Sequence, residues 1–242
     1  MEPIYRGHAD SSWRLVAPIV RQADQNIREM RKRGLDVRVG GISRSVDQIK
    51  YFTRLATGLP GVDISGLNPV DVAALARHNG FTTNLLDWTL SPYVAAFFAF
   101  TTVLDRANDG RLSSGQIDKA PIALPVSDVA VWQLAVANEI LIAGELDLLT
   151  SIVAQNYWQK AQCGLFTRLQ HDDYLDLSEY LSARGLANRL TKFLISGTET
   201  GKVLFDLEAM NITFAALFPD LRGAAAQANI GGTWRLLGAL GS

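Results

Sequence analysis

An arginine beside a glycine closes the first predicted strand of the chain, which spans residues 3–8. A guanidinium binds carboxylates and phosphates through two parallel hydrogen bonds. Arg6 therefore has two alternative roles: it binds an anionic ligand, or it pairs with Asp87 or Asp220 and fixes the fold. Gly7 has no side chain, so it would let a phosphate approach Arg6 closely.

Small hydroxyl side chains stand where a second predicted strand meets a helix. Thr89 and Ser91 precede Pro92, where a helix is predicted to begin. This helix would be apolar on nearly every side, which predicts that it lies in the core. Ser91 is suited to cap this helix, and a helix N-terminus also favours anions, so the two roles are compatible. Asp87 lies between Leu86 and Trp88 on a predicted inner strand, where its charge needs a partner or a ligand.

Several familiar sites are absent from the sequence. No Gly-x-Gly-x-x-Gly follows a strand, and the segment 197–203 is one residue short of a phosphate-binding loop, so we interpret it as a turn. The histidines His8, His78 and His171 have no metal-ligand spacing, and no metal site is predicted. His78 is either a helix-end residue that meets backbone carbonyls or a site residue, and Trp88 is either a core residue or a stacking surface.

Composition indicates a folded chain with a sizeable core. The 242 residues are 48% hydrophobic and 19% charged, which excludes intrinsic disorder. The single Cys163 excludes a disulfide scaffold and fits a reducing cytoplasm, and the apolar run 93–104 is too short to span a bilayer. Net charge is −1, but residues 1–60 hold 11 Lys/Arg against 6 Asp/Glu. The arginine-rich segment 28–44 is either a solvated surface or a surface for an acidic partner.

Periodicity and capping signals predict one mixed domain in which helices and strands position these residues. Helices are expected over 45–59, 69–78, from 92 onward, and over 175–181, 203–210 and 218–227. Strands are expected over 3–8, at the start of 81–100, and over 129–136, 164–169 and 190–195. Residues 106–120 are predicted to form a mobile loop.

Segments spread over the chain resemble the FRG domain. They are residues 5–8 and 12–18, the central segment 77–92, and the later segments 156–167 and 217–223. The resemblance implies a single FRG domain over residues 1–242.

Two of these segments are also similar to the first two motifs of ADP-ribosyltransferases. This more distant resemblance implies an α+β fold with a split β-sheet core and surrounding helices, and NAD as substrate. It implies that a first-strand arginine binds the phosphates or ribose of NAD and that hydroxyl residues before the helix hold the nicotinamide ribose. The residues it implies for NAD binding are Tyr5, Arg6, Gly7, His8, His78, Asp87, Trp88, Thr89 and Ser91.

A third element of that superfamily is a carboxylate on a later strand, which stabilises positive charge on the ribose. The residue before the strand 164–169 is Gln162 rather than glutamate. Its amide oxygen can accept a hydrogen bond from a ribose hydroxyl but carries no charge. The resemblance thus implies Arg6, Ser91 and Gln162 as catalytic residues.

The leading hypothesis is a cytoplasmic NAD-dependent ADP-ribosyltransferase or NAD glycohydrolase. Such enzymes often act as toxins or in antiviral defence, which implies a macromolecular acceptor (protein or nucleic acid) and a cognate antitoxin or inhibitor, without a membrane partner. The alternative is a non-catalytic FRG module that binds a nucleotide or a protein. A nuclease that uses His78 and His171 is a weaker hypothesis, because nothing in the sequence brings the two histidines together.

Overall fold

A computed structural model describes residues 2–33, 41–114, 127–137, 145–150, 157–170 and 176–229. Within these ranges one antiparallel sheet holds the strands together, in the order β4-β5-β2-β1-β3-β6. The strands are β1 (Ile4–His8), β2 (Leu86–Thr89), β3 (Asp128–Leu134), β4 (Leu146–Leu149), β5 (Gly164–Leu169) and β6 (Leu190–Ser196).

Strand β1 lies inside the sheet and is paired unequally on its two sides. It pairs with β3 along all five of its residues. Its register with β2 consists of one pair, Tyr5 opposite Thr89. Because β2 pairs along its whole length with β5 on its other side, β1 and β2 meet at one end and separate beyond it. The gap between them opens beside Arg6.

Helices surround the sheet. They are α1 (Pro18–Lys32), α2 (Gly41–Ala56), α3 (Pro69–His78), α4 (Pro92–Ser114), α5 (Tyr157–Ala161), α6 (Leu177–Ala183), α7 (Thr200–Ala209), α8 (Phe214–Leu217) and α9 (221–229). Two short 3₁₀ segments, Ala187–Arg189 and Gly197–Glu199, flank β6. No helix in the described ranges is long and apolar enough to cross a membrane.

Helix α3 begins and ends where its sequence predicts. The Asn68 side chain accepts hydrogen bonds from the backbone N–H groups of Val70 and Asp71, and Pro69 occupies the first turn. Gly80 follows the helix with a φ of +83°, a conformation that glycine adopts without strain. These signals fix the end of α3 just before the chain turns into β2.

Helix α4 packs directly on β1 at Gly7. A Cβ atom on Gly7 would lie 1.9 Å from the carbonyl oxygen of Ala95 and 2.9 Å from the Cβ of Ala99. The close approach of helix to strand therefore requires glycine here. The prediction that α4 lies in the core is confirmed, since Phe97 and Phe100 are buried.

The loop predicted over residues 106–120 is wrong up to Ser114, because α4 continues to that residue. A helix that is already fixed by its buried first turns adds residues at little cost, so the polar residues and Gly110 extend it rather than end it. Residues 115–120 lie outside the described residues.

The described residues form three apolar clusters, of which two are large. One includes Ile4, Leu86, Trp88 and Leu134 from the strands and Leu177, Tyr180 and Leu181 from α6. The other includes Val94, Phe97, Phe100, Val103 and Leu104 from α4, Val129 from β3, and Leu204 and Leu207 from α7. The α+β class and the mixed sheet-and-helix organisation are confirmed, whereas β4 and α1 were not predicted.

Candidate functional site

Arg6 bridges the gap between β1 and β2 with its side chain. Its Nη1 donates a hydrogen bond of 2.7 Å to the backbone carbonyl of Asp87 and lies 3.5 Å from the Asp87 carboxylate. Pairing of Arg6 with Asp87, one of the alternatives that the sequence leaves open, is thus present. Pairing with Asp220 is not, because that carboxylate accepts from the backbone N–H of Gly223 instead.

A second arginine holds the same carboxylate. Arg77, in the last turn of α3, donates from Nη2 to one Asp87 oxygen at 2.9 Å and from Nε to the other at 3.3 Å. This fork-shaped contact fixes the orientation of the carboxylate. Arg77 was not among the predicted site residues. The sequence did contain a signal for it: Arg77 lies near the end of the predicted helix 69–78 and belongs to the same central segment, 77–92, as Asp87.

A third arginine, Arg21, approaches from α1. Its Nη1 donates to the carbonyl of Val16 at 2.9 Å, and the backbone N–H of Ile19 bonds to the carbonyl of Thr83, which fastens α1 to the segment before β2. Among the described residues no carboxylate pairs with Arg21. We call Arg6, Arg21, Arg77 and Asp87 the arginine cluster; Arg6 and Arg77 contact the Asp87 carboxylate, and the charge of Arg21 acts on these three groups.

The charges in the arginine cluster shift one another's pKa values. Burial lowers the pKa of Arg6 to about 10, and the charges of Arg21 and Arg77 add to that effect while Asp87 opposes it. Burial likewise lowers the pKa of Arg21. For Asp87, burial alone would raise the pKa, but the charges of Arg77 and Arg6 outweigh it and hold the pKa below its ordinary value. Arg6 and Asp87 are therefore ionised at neutral pH.

The cluster is open to solvent on one side. The side chains of Arg6, Arg77 and Asp87 are 13%, 27% and 37% exposed. Arg6 thus lies at the back of the cluster, and the Asp87 carboxylate and Arg77 lie nearer its mouth. A ligand entering from solvent would meet the Asp87 carboxylate and Arg77 before Arg6.

His8 lies behind Arg6 and supports it. Its Nε2 accepts from Arg6 Nε at 3.1 Å, while Nε1 of Trp132 lies 3.3 Å from Nδ1. Burial, reinforced by the charge of Arg6 and then of Arg21, lowers the pKa of His8 to about 3, so the imidazole is neutral. The prediction of His8 as an NAD-binding residue is corrected: at 2% exposure it is a positioning residue for Arg6.

The predicted hydroxyl and amide residues do come together at the end of β2. Thr89 donates from Oγ1 to the backbone carbonyl of Gln162 at 2.7 Å and accepts from the backbone N–H of Ser91. Ser91 Oγ accepts from the backbone N–H of Val94, as a helix cap does. Tyr5 stands opposite Thr89 in the sheet. The predicted capping role of Ser91 is confirmed.

Gln162 is anchored through its amide nitrogen. Nε2 donates to the carbonyl of Leu217 at 3.1 Å, and the turn into β5 passes through Cys163 at a φ of +48°. No described residue donates to the Oε1 atom of Gln162, which leaves that oxygen as an acceptor. No carboxylate occupies this position, so the site offers an amide where a charged group was expected by analogy.

Trp88 is a core residue. It is 3% exposed, and its Nε1 donates to the hydroxyl of Thr167 at 2.8 Å. The prediction that Trp88 contacts NAD is therefore corrected, because its ring packs with Ile4 and Leu86 in the apolar cluster beneath the sheet. Its neighbour Asp87 carries the exposed charge.

Other predicted features lie away from the cluster or outside the described part of the chain. The turn predicted over 197–203 is present at Gly197–Glu199, but residues 200–203 form the first turn of α7. His78 ends α3 in the backbone, but its side chain lies outside the described residues, as do His171 and much of the arginine-rich segment 28–44. The pairing of His78 with His171 that a nuclease would need is untested.

Comparison with known families supports the resemblance over the first part of the chain. The family model of the FRG domain matches residues 2–108. This range contains β1, α1, α2, α3, β2 and most of α4, and with them every member of the arginine cluster. It ends before Gln162. No curated protein and no solved structure shows significant similarity to the chain.

Proposed function

We propose that this chain is an NAD-dependent ADP-ribosyltransferase whose substrate lies across the gap between β1 and β2. The observation that carries the proposal is the arginine cluster, which has an excess of two positive charges over Asp87 and is partly exposed to solvent. Asp87 lies on β2, two residues before Thr89. A dinucleotide carries its two negative charges on the diphosphate. The separation of β1 from β2 is the feature that we equate with the split sheet core of that superfamily.

In the proposed reaction the bond between nicotinamide and ribose breaks, and its electron pair leaves with neutral nicotinamide. Positive charge develops on the ribose, and an acceptor nucleophile then forms the new bond and loses a proton. Arg6 and Arg77 would hold the diphosphate and so fix the ribose near the end of β2. Gln162 Oε1 would accept from a ribose hydroxyl, and Ser91, at the start of α4, would line the ribose pocket.

The acceptor in this proposal is a macromolecule, protein or nucleic acid, with water as acceptor in the glycohydrolase variant. By analogy with other members of the superfamily we place the chain in the cytoplasm as a toxin or antiviral defence effector held in check by a cognate inhibitor. Detection of ADP-ribose on cellular protein or nucleic acid after expression would identify the acceptor.

A second candidate is a non-catalytic module that binds a nucleotide in the same cleft. The observation that favours it is the amide of Gln162, which cannot supply the charge that stabilises a cationic ribose. A protein-binding role for the module would need no nucleotide in the cleft.

Nicotinamide release from NAD by the purified chain distinguishes these functions. A matched control is available in Arg168, a strand arginine that pairs with Asp147 on β4, outside the cluster. We expect release from the wild type and from Arg168→Ala, and loss of release in Arg6→Ala. Equal release from Arg6→Ala and the wild type contradicts the role of Arg6, and binding of NAD without any release supports the non-catalytic module.

A further inference from the structure

We infer that strand β6 is a dimer interface, at which it pairs antiparallel with β6 of a second copy of this chain. The pairing would join the sheets of the two copies into one continuous sheet. The inference goes beyond the proposed function, because β6 lies beyond β3, on the side of β1 that faces away from the gap between β1 and β2.

Strand β6 forms one edge of the sheet in the described part of the chain. It pairs with β3 along its whole length, from Leu190 opposite Leu134 to Ser196 opposite Asp128, and no described strand pairs with its other side. Alternate residues of such a strand direct their backbone N–H and C=O groups away from the sheet. A further strand can pair with these groups.

Strand β6 itself lacks the features that protect an edge strand from pairing. Protected edges are short, bulged, interrupted by proline, or guarded by a lysine on the edge. β6 has seven residues and no proline, and its register with β3 advances without a bulge. Its lysine, Lys192, has Nζ 4.9 Å from the ring centroid of Trp132 and donates to the carbonyl of Ser11, so the ammonium lies over the neighbouring strand rather than over the open edge. The edge strand on the opposite side of the sheet, β4, has four residues.

Both faces of β6 expose apolar side chains. Ile195 is partly buried against the apolar cluster that includes α4, and Phe193, two residues earlier on the same face, is exposed. Leu194 is exposed on the opposite face. A helix docked on one face would cover only one of these exposed side chains. A strand added at the edge would contact both faces and pair the backbone as well.

The sequence of β6 is complementary to itself in antiparallel pairing. A two-fold axis at Phe193 pairs all seven residues and sets Phe193 beside its own copy. Lys192 then lies opposite Leu194 of the second copy, and Thr191 opposite Ile195, so no two like charges face each other directly. An axis at Lys192 would bring the two lysines together, and an axis at Leu194 would pair fewer residues. This self-complementarity is the reason for naming a second copy as the partner.

Sedimentation equilibrium of the purified chain tests the interface. We expect a dimer for the wild type and a dissociation constant about tenfold larger for Leu194→Lys, because each new lysine would face Lys192 of the other copy. Leu55→Lys on α2 is the matched control, since Leu55 is 56% exposed and Leu194 is 57% exposed. The control should dimerise as the wild type does. A folded wild type that is monomeric, or an equal effect of the two substitutions, overturns the inference.

Cross-linking through introduced cysteines tests the register and does not depend on whether Leu194→Lys folds. Both variants carry Cys163→Ser, which removes the single native thiol. The two copies of Phe193→Cys would be direct cross-strand neighbours, with Cα atoms about 4.5–5.5 Å apart, a distance that a disulfide spans. The two copies of Ser196→Cys would lie six residues apart along the strand, about 20 Å. We expect oxidised glutathione to cross-link Phe193→Cys into a dimer and to leave Ser196→Cys monomeric on a non-reducing gel. Equal cross-linking of the two variants, or none in Phe193→Cys, overturns the inference.

Discussion

Nη1 of Arg6 lies 2.7 Å from the backbone carbonyl oxygen of Asp87, where the antiparallel pairing of β1 with β2 has stopped. The arginine side chain takes the place of a backbone donor that the separated strand no longer supplies. Arg6 thus connects β1 to β2 across the gap and places a positive charge inside it. The same side chain has a structural role and, in the proposed function, a role in phosphate binding.

Replacing Asp87 by asparagine is expected to destabilise the chain, because Arg6 and Arg77 would then repel each other without a counter-charge. With the carboxylate 37% exposed, solvent screening limits the loss in free energy of unfolding to about 1–2 kcal/mol at pH 7. Asp147→Asn, which removes the partner of one arginine only, should cost less. Urea denaturation measures both, and equal losses would argue against the bridging role.

The Asp87 variant also has a predicted pH dependence. The pKa of Asp87 is lower in the folded state than in the unfolded chain, so its stabilising effect is fully present above the unfolded pKa of about 3.9 and is lost as pH falls through the folded value. The difference in stability between wild type and Asp87→Asn should therefore shrink as pH falls below about 4. A difference that grows on acidification contradicts the pKa shift.

His8 should make stability depend on pH in a higher range. Its folded pKa is about 3, below the unfolded value of about 6.5, so between these values the unfolded chain binds one more proton. The free energy of unfolding should fall by up to about 1.4 kcal/mol for each pH unit lost in that range. Denaturation of the wild type and His8→Gln between pH 5 and 7 isolates the contribution of His8, because both chains keep His78 and His171. If the free energy of unfolding changes with pH equally in the two chains, the prediction is contradicted.

Gly7→Ala should be strongly destabilising, by about 3 kcal/mol, because its Cβ would meet the Ala95 carbonyl, which cannot move without displacing α4. Gly164, another strand glycine, is the matched control. A Cβ there would lie 3.2 Å from Cγ of Gln159, a side-chain atom, and 3.4 Å from its backbone oxygen. We expect Gly164→Ala to cost less than about 1 kcal/mol. Similar thermal stabilities for the two variants would exclude the predicted contact.

Gln162→Glu tests whether the amide limits catalysis. A carboxylate at this position would add a charge-assisted contact to a cationic ribose, worth about 1–2 kcal/mol, which corresponds to roughly a tenfold increase in the rate of nicotinamide release. Gln162→Ala should lower the rate, since it removes the acceptor. A lower rate in both variants would show that Gln162 serves the fold through its bond to Leu217 rather than the reaction.

Much of the fold was predictable because its signals are local. The Asn68–Pro69 cap, Gly80 and the apolar residues of α4 determine where those helices begin, end and lie. Strand β4 was missed because its four residues, Leu146–Leu149, alternate apolar and polar over only three positions and include no β-branched residue. The end of α4 was predicted as a loop because its residues are polar. The helix continues there because its preceding turns are packed in the core, which the local sequence does not show.

The candidate site was predictable in its residue types but not in its partners. Thr89, Ser91 and Gln162 are brought together where β2 meets β5, whereas Arg6 contacts Asp87. Whether Trp88 or His8 faces a ligand depends on which side of the sheet is covered, and the structure places both in the interior. Arg21 and Arg77 come from helices whose approach to β2 depends on tertiary packing, so spacing alone did not reveal the arginine cluster.

The affinity of the chain for NAD, measured by calorimetry in the wild type, Arg6→Lys and Arg168→Lys, tests the central claim most directly. Lysine keeps the charge but loses the planar fork, so we predict binding about tenfold weaker in Arg6→Lys. Binding by Arg168→Lys should match the wild type, and thermal denaturation confirms that each variant is folded. Equal NAD affinity in all three proteins, or no binding by the folded wild type, would contradict a dinucleotide site at Arg6.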